Sequence, residues 1–435
     1  MNQHFGTLDW ALRSGIYEVN TRQYTAEGTF AAFGKHLPRL RDMGIGILWF
    51  MPVTPISKQN RKGSLGSYYA CSRYVSVNPE FGNLDDFKEL VRNAHAQGFK
   101  MLIDWVANHT GCDHEWTTQH PDFYKKNEEG QFYDAHGWED VIDLDFANKM
   151  LWETMVAAMR FWVDECDIDG FRCDMAHLVP LDFWMYARTE LDASKKLFWL
   201  AETEEAVYHS VFDATYGWEL LHSMERLYQN KMSVLEFVDV LNKYETDFPP
   251  NALRLLFTSN HDGNSHSGSE WERLGNGAKA FAVLCATWKN SFPLIYSGQE
   301  LPNTKRLQFF EKDEISWTGY NQLNDFYKTL LQLRATNAAL KSCDEKVETR
   351  ILPVSEPNSI FAFFRKKDED EVLVVLNLSA GASSFKLLNV NISYALVDVF
   401  SGEPFSGSEI ILPGWGFKVF SSKKALCLKL FNSVN

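Results

Sequence analysis

The chain has 435 residues, of which 45% are hydrophobic and 23% charged, enough for a large core and for two or three domains rather than one. Its 57 acidic against 43 basic side chains give a net charge of -14, which argues against nucleic acid or an anionic lipid surface as a partner. No apolar run approaches the roughly 18 residues a membrane span needs. The seven cysteines stand singly without a CxxC pair, so neither a zinc ribbon nor a complete disulfide framework is expected. The chain passes from Met1 to a strand pattern at Gly15–Val19 without a basic start, an apolar run and a cleavage site. A cytoplasmic location, or a precursor already trimmed, is the expectation. No feature reads out the oligomeric state.

In chain order, short apolar runs bounded by turn residues alternate with longer amphipathic stretches from about Gly15 to Gly298. Strands are expected at Gly15–Val19, Ile47–Met51, Lys100–Trp105, Gly170–Asp174, Leu197–Ala201, Arg254–Thr258 and Pro293–Ser297, with a weakly marked one near Phe212–Tyr216. Eight such strands joined by helices would close a (β/α)8 TIM barrel, whose chemistry sits at the C-terminal strand ends. Residues 110–148 are polar and aromatic and too long for an ordinary connection, so they read as a short inserted domain after strand 3. After about Leu340 the pattern turns to alternating strands such as Ile360–Arg365 and Val372–Leu378, which reads as an antiparallel β-sandwich. The expected division is therefore a barrel from 1–109 and 149–342, an insertion at 110–148 and a sandwich at 343–435.

Four expected strand ends finish in polar groups: Asp104 with Asn108 and His109, Arg172 with Asp174, Glu202, and Asn260, His261 and Asp262. A barrel brings these ends to one face, so three carboxylates, an arginine and two histidines would meet in one cavity. Glycoside cleavage needs two carboxyl groups, one acting at the anomeric carbon and one protonating the leaving oxygen, and Asp174 and Glu202 fit that pair. Arg172, two residues before Asp174, shares its face of the strand and is expected to hold it ionised at a lowered pKa. Glu202 follows the apolar run Leu197–Ala201, surroundings that favour a raised pKa and general acid behaviour. Asp262, His109 and His261 would bind sugar hydroxyls. Asp104 suits a supporting role toward Arg172, and Cys173 should point away as an inert buried thiol. His114, His120 and His136 lie near Asp113 and Asp134 with irregular spacing that matches no metal motif, and they read as solvated loop residues. Trp116, Phe123, Tyr124 and Trp138 suit a sugar groove or a small core equally.

With these residues in view, the chain resembles glycoside hydrolase family 13, the α-amylase superfamily, over nearly its whole length. DWVANH at Asp104–His109, GFRCDMAH at Gly170–His177, LAET at Leu200–Thr203 and FTSNHD at Phe257–Asp262 follow the family's four regions in order. GSYYACSRYVSVNPEFGNLDDF at Gly66–Phe87 resembles the stretch bearing a sugar-stacking tyrosine, here Tyr69, and PLIYSGQE at Pro293–Glu300 resembles the eighth strand and its loop. The resemblance implies Asp174 as nucleophile, Glu202 as acid/base, Asp262 as transition-state stabiliser, and Tyr69, His109, Arg172 and His261 as sugar ligands. It also implies a retaining hydrolase of α-1,4-glucans that needs no cofactor for its chemistry. A structural calcium ion held in part by Asn108 is common in the family's α-amylases. Against it, His177 comes three residues after Asp174 rather than four, and the insertion has no compact run of oxygen ligands. His177 instead matches a position on the leaving-group side of the sugar. VIDLDF at Val141–Phe146 is nearer the form of α-amylases than that of oligo-1,6-glucosidases. Cyclomaltodextrinase or maltogenic activity and glucan transglycosylation are the close rivals, and a non-catalytic glucan-binding relative is the remote one.

Overall fold

The computed structural model describes residues 5–422 except 7, 320, 390, 391 and 408, so residues 423–435 of the expected sandwich and Cys427 lie outside the described residues. Eight parallel strands close a barrel: β1 (Ile16–Val19), β2 (Ile47–Phe50), β3 (Lys100–Val106), β6 (Gly170–Asp174), β7 (Phe198–Ala201), β8 (Ala214–Tyr216), β9 (Leu253–Leu256) and β10 (Ser291–Tyr296). Each strand pairs with its neighbour in sequence order around the ring, and β10 returns to β1 through the register Ile16 to Leu294. Buried on both faces, these strands read as almost continuous apolar runs; only Lys100 in the barrel strands is less than buried. That is why their positions could be found from sequence to within a few residues. The weakest of them in sequence, β8, is three residues long, and its neighbour Asp213 is a buried carboxylate that accepts from Trp199 N and Arg188.

The helix Leu84–Ala96 shows how the outer layer is built. Asn83 and Asp86 form a reciprocal cap at its start, and Phe87, Leu90, Val91 and Ala94 make the one buried stripe. Burying each of the larger of these contributes roughly 1.5–3 kcal/mol, and Asn83→Ala would cost about 1 kcal/mol by leaving first-turn N–H groups unpaired.

Between β3 and β6 the chain leaves the barrel. β4 (His109–Gly111) and β5 (Val141–Asp143) form a two-stranded antiparallel ribbon with His109 opposite Asp143. Trp116, Phe123 and Tyr124 are buried beneath it in a core continuous with that around the barrel. His114 belongs to that core as well: it is fully buried against Tyr74 and Trp116, and Trp116 N donates to its Nδ1 at 3.1 Å. Burial pushes its pKa down to about 3, so the solvated reading of this histidine is corrected. The irregular spacing hid it because its partners come from distant parts of the chain.

The last region is an antiparallel sheet of β11 (Glu348–Ile351), β12 (Ile360–Lys367), β13 (Asp370–Asn377), β17 (Phe417–Ser421) and β15 (Val397–Asp398), faced by the pair β14 (Ser383–Phe385) and β16 (Ile410–Leu412). One face carries Phe361, Phe363, Val372 and Val374 into a core shared with the barrel, and the other carries Phe364, Leu373 and Val375 into a core of its own. The six described cysteines are all free thiols, four of them buried.

Candidate active site

Arg172 organises the floor of the barrel's C-terminal end. It is fully buried on β6, and its Nη1 donates to Asp104 Oδ1 at 2.9 Å and to Asp174 Oδ1 at 3.0 Å. Its Nη2 lies 2.9 Å from Glu202 Oε2 but off the hydrogen-bond axis, so that contact is ionic. Met175 N donates to the same Glu202 oxygen at 2.8 Å. One guanidinium thus fixes one oxygen each of Asp174 and Glu202, and Asp104 fixes the guanidinium in turn. Strand alternation turns Cys173 away into the core, where burial holds its thiol well above the usual range.

The expected lowering of Asp174's pKa by Arg172 is not what the surroundings produce. Burial and then the neighbouring Glu202 push it well above the ordinary carboxylate value, and Arg172 opposes them only in part. Asp104 is likewise raised, to about 6, by burial, with Arg172 pulling the other way. Reading only the nearest charge missed the cost of placing three carboxyl groups on one cation away from water.

A second cluster faces this floor. Tyr69 hydroxyl donates to Asp104 Oδ2 at 3.0 Å and sits 2.7 Å from His261 Nε2, while the two rings stack at 5.4 Å. His261 Nδ1 is 2.5 Å from Glu18 Oε1, and its Nε2 is 3.2 Å from Asp262 Oδ2. Burial alone would pull His261 down, but Asp262 and Glu18 outweigh it and hold the imidazolium up to about 9. His109, buried without such partners, is pushed down to about 4 by burial and is therefore neutral at pH 7.

These groups open into a cleft of about 380 Å³ lined by Tyr69, His109, Asp174, Glu202, His261 and Asp262 together with rim residues. Eight of the ten residues singled out in sequence thus share one site or its immediate support: these six, Arg172 and Asp104. His177 stands exposed on the short turn Ala176–Leu178 and does not line the cleft. Asn108 is buried outside the lining. Sequence reasoning missed Glu18, whose signal was a charged residue inside the fully buried run Ile16–Val19. It also missed the rim residues Lys62, Asp140, Phe309 and Phe310, which lie on loops that carry no motif, and His266, on the helical turn Gly263–Ser267 just past the Phe257–Asp262 motif. Of the four aromatics left between groove and core, Trp138 lines the cleft and packs its ring 5.3 Å from His109.

The residues about Asn108 do not fit calcium. Asn108 turns its amide nitrogen toward Asp143 Oδ1 at 3.5 Å, and the Lys125 ammonium occupies the other oxygen at 3.0 Å. Asp134, His136 and Asp143 bring one donor atom each within 4.8 Å of one another, well short of the six to eight or so oxygens calcium takes. Position 178, four after Asp174, is Leu178.

Residues 17–137 and 122–339 match the family described as Alpha amylase, catalytic domain. The chain belongs to that family. Residues 349–419 match Maltogenic Amylase, C-terminal domain. Among solved structures, it is similar to the maltogenic alpha-amylase AmyB from Thermotoga neapolitana, with 29% identity and a TM-score of 0.86 over 94% of this chain and 98% of that one. It is also similar to an alpha-amylase from Lactobacillus plantarum, with 27% identity and a TM-score of 0.85 over 95% of this chain and all of that one (100%). Among curated proteins, a maltogenic alpha-amylase of Bacillus acidopullulyticus is 25% identical over 89% of this chain and 68% of the longer relative. The chain is thus an α-amylase family glycoside hydrolase, and no helix among its described residues is long and apolar enough to cross a membrane.

Proposed function

We propose that the chain hydrolyses α-1,4-glucosidic bonds of maltooligosaccharides with retention, using Asp174 as nucleophile and Glu202 as acid/base. The observation that carries this reading is the single Arg172 guanidinium held against Asp174, Glu202 and Asp104 at the floor of the cleft. Arg172 occupies Asp174 Oδ1, so Oδ2 is the oxygen assigned to attack the anomeric carbon. Glu202 Oε2 is held by Arg172 and Met175 N, so Oε1 carries the proton to the glycosidic oxygen. The C1–O bond breaks as the Asp174 ester forms and the shortened glucan leaves with Glu202's proton. Water then gives a proton to Glu202, attacks C1 and releases Asp174 as carboxylate, which restores both groups and the α configuration. Asp262 and the charged His261 bind hydroxyls of the ring that flattens in the transition state, and Tyr69 offers its face to that ring.

A second reading within the same chemistry is maltogenic action, in which short products leave from chain ends. The match of residues 349–419 and the two maltogenic relatives support it. Both readings share one test. Asp174→Asn and Glu202→Gln should each lower release of reducing ends from maltoheptaose by on the order of 10⁴-fold or more. Near-normal activity of either variant would remove the assignment. Chromatography of products from maltoheptaose, amylose, pullulan and β-cyclodextrin separates the two readings and detects transfer to sugar acceptors.

A further inference from the structure

Two rim segments that are far apart in sequence meet across the cleft. Lys62, on the loop after β2, places its ammonium 3.4 Å from Asp140 Oδ1, on the inserted segment one residue before β5. Both residues line the cleft, and Asp140 is buried while the lysine side chain is 35% exposed. The backbone that carries Lys62 is fixed at several points. Lys58 N and Gln59 N donate to Asp113 Oδ2, Arg61 Nε donates to Ser57 O, and Ser64 N and Leu65 N bond Glu311 and Phe310 of the loop beyond β10. Gly63 has φ +64 and packs so closely on Phe310 that an added Cβ would stand 2.6 Å from that side chain. The other partner is seated too, by Trp138 N to Asp134 Oδ2 at 2.6 Å and by the pairing of Val141 with Gly111. The two backbones are thus held in place and tied to each other at Asp113, and on the cleft side the charged contact between Lys62 and Asp140 spans them.

From this geometry we infer that the Lys62–Asp140 ion pair bars one end of the cleft and sets the length of the glucan products. The inference rests on the α-glucan reading above. A terminal glucose meeting the pair offers hydroxyls to an ammonium and a carboxylate, both of which hydrogen-bond them. An internal glucose cannot end there, because its chain continues through the space the pair occupies. The partly exposed lysine makes the bar a weak one that salt loosens, so longer chains enter when it opens. Phe309 and Phe310 line the same cleft and give it apolar surface for the sugar face.

Charge reversal and charge exchange test this on the full chain. Lys62→Glu and Asp140→Lys should each broaden the products from amylose and maltoheptaose toward longer oligosaccharides, with the longer fraction rising up to about fivefold. The double variant Lys62→Glu with Asp140→Lys should return the narrow product pattern, and 1 M NaCl should broaden the wild-type pattern. If a reversed charge prevents folding, Lys62→Gln removes the charge at similar size and gives the same readout. An unchanged product pattern in the single variants, or a double variant no narrower than they are, overturns the ion pair as a length determinant and leaves the hydrolase reading standing. A wild-type chain that cleaves no α-glucan overturns both.

Discussion

His261 and His109 face the same cleft in opposite charge states, and the difference lies in their partners. His261 has Glu18 on one ring nitrogen and Asp262 near the other, whereas His109 has buried surroundings and the amide of Asn108. The pKa of His261 rises from 6.5 to about 9, so its contribution to stability is fully present below pH 6.5 and is lost as pH climbs through 9. At its largest that contribution is about 3 kcal/mol. His261→Gln should therefore flatten the pH dependence of the urea midpoint between pH 6.5 and 9, with a lower midpoint throughout because Glu18 is left buried without its cation. An unaltered slope in that window would mean that other groups carry the titration. The same pair shows where sequence reading stops. His261 and Asp262 follow a strand run and could be singled out, but Glu18 lies 243 positions away and joins them only because barrel closure brings β1 within reach of the loop after β9, with β10 between them. Likewise, proximity of Arg172 to Asp174 was legible from their spacing of two, while the burial and crowding that raise Asp174 depend on Glu202 and Asp104 from other strands.

At the level of elements, the barrel strands were legible because burial on both faces demands apolar runs; the place of the inserted segment was legible from its length and polarity, but its internal arrangement was not because its order comes from contacts across it. The ribbon β4–β5 ends in Asp143, a fully buried carboxylate whose charge is met by Lys125 at 3.0 Å and approached by His136 at 3.7 Å. Neither contact follows a local spacing rule. We propose that the ammonium serves where a bound cation would otherwise be required to neutralise Asp143, and the consequence is measurable. The unfolding temperature of the wild-type chain should be the same in millimolar calcium and in excess chelator. Lys125→Met should destabilise by ~1–3 kcal/mol, less than a wholly buried pair because the lysine is 36% exposed. A wild-type midpoint that falls by several degrees in chelator would overturn the proposal. The rim loops belong to the same scale: Lys62, Phe309 and Phe310 sit on connections after β2 and β10 that no periodicity marks, so only the folded arrangement joins them to the cleft.

Across the whole molecule, the terminal sheet is joined to the barrel by a continuous apolar layer. Trp288, at the end of the helix Ala278–Thr287, packs its ring 4.9 Å from Phe363 and 5.7 Å from Phe361 on β12. Trp415 packs at a tilt against Phe281 and Tyr228 of the barrel's helices. Buried polar contacts lock the register of this layer: Arg365 Nη1 donates to Thr287 O at 3.0 Å, Asn337 Nδ2 to Ser421 Oγ at 3.1 Å, and Ala338 N to Asp370 Oδ2 at 2.6 Å. Separating the two parts would expose the aromatic face of this layer to water, so neither is expected to persist after the other melts. Calorimetry should then record one transition, with loss of activity at the same temperature, even though the cleft lies at the far, C-terminal strand end of the barrel. Trp288→Ala leaves a cavity at the centre of the layer and should cost ~3–5 kcal/mol, lowering that single transition without altering the product pattern. Two resolved transitions in the wild-type chain, or an early one that leaves activity intact, would mean the sheet is an independent appendage rather than a part of the barrel's stability.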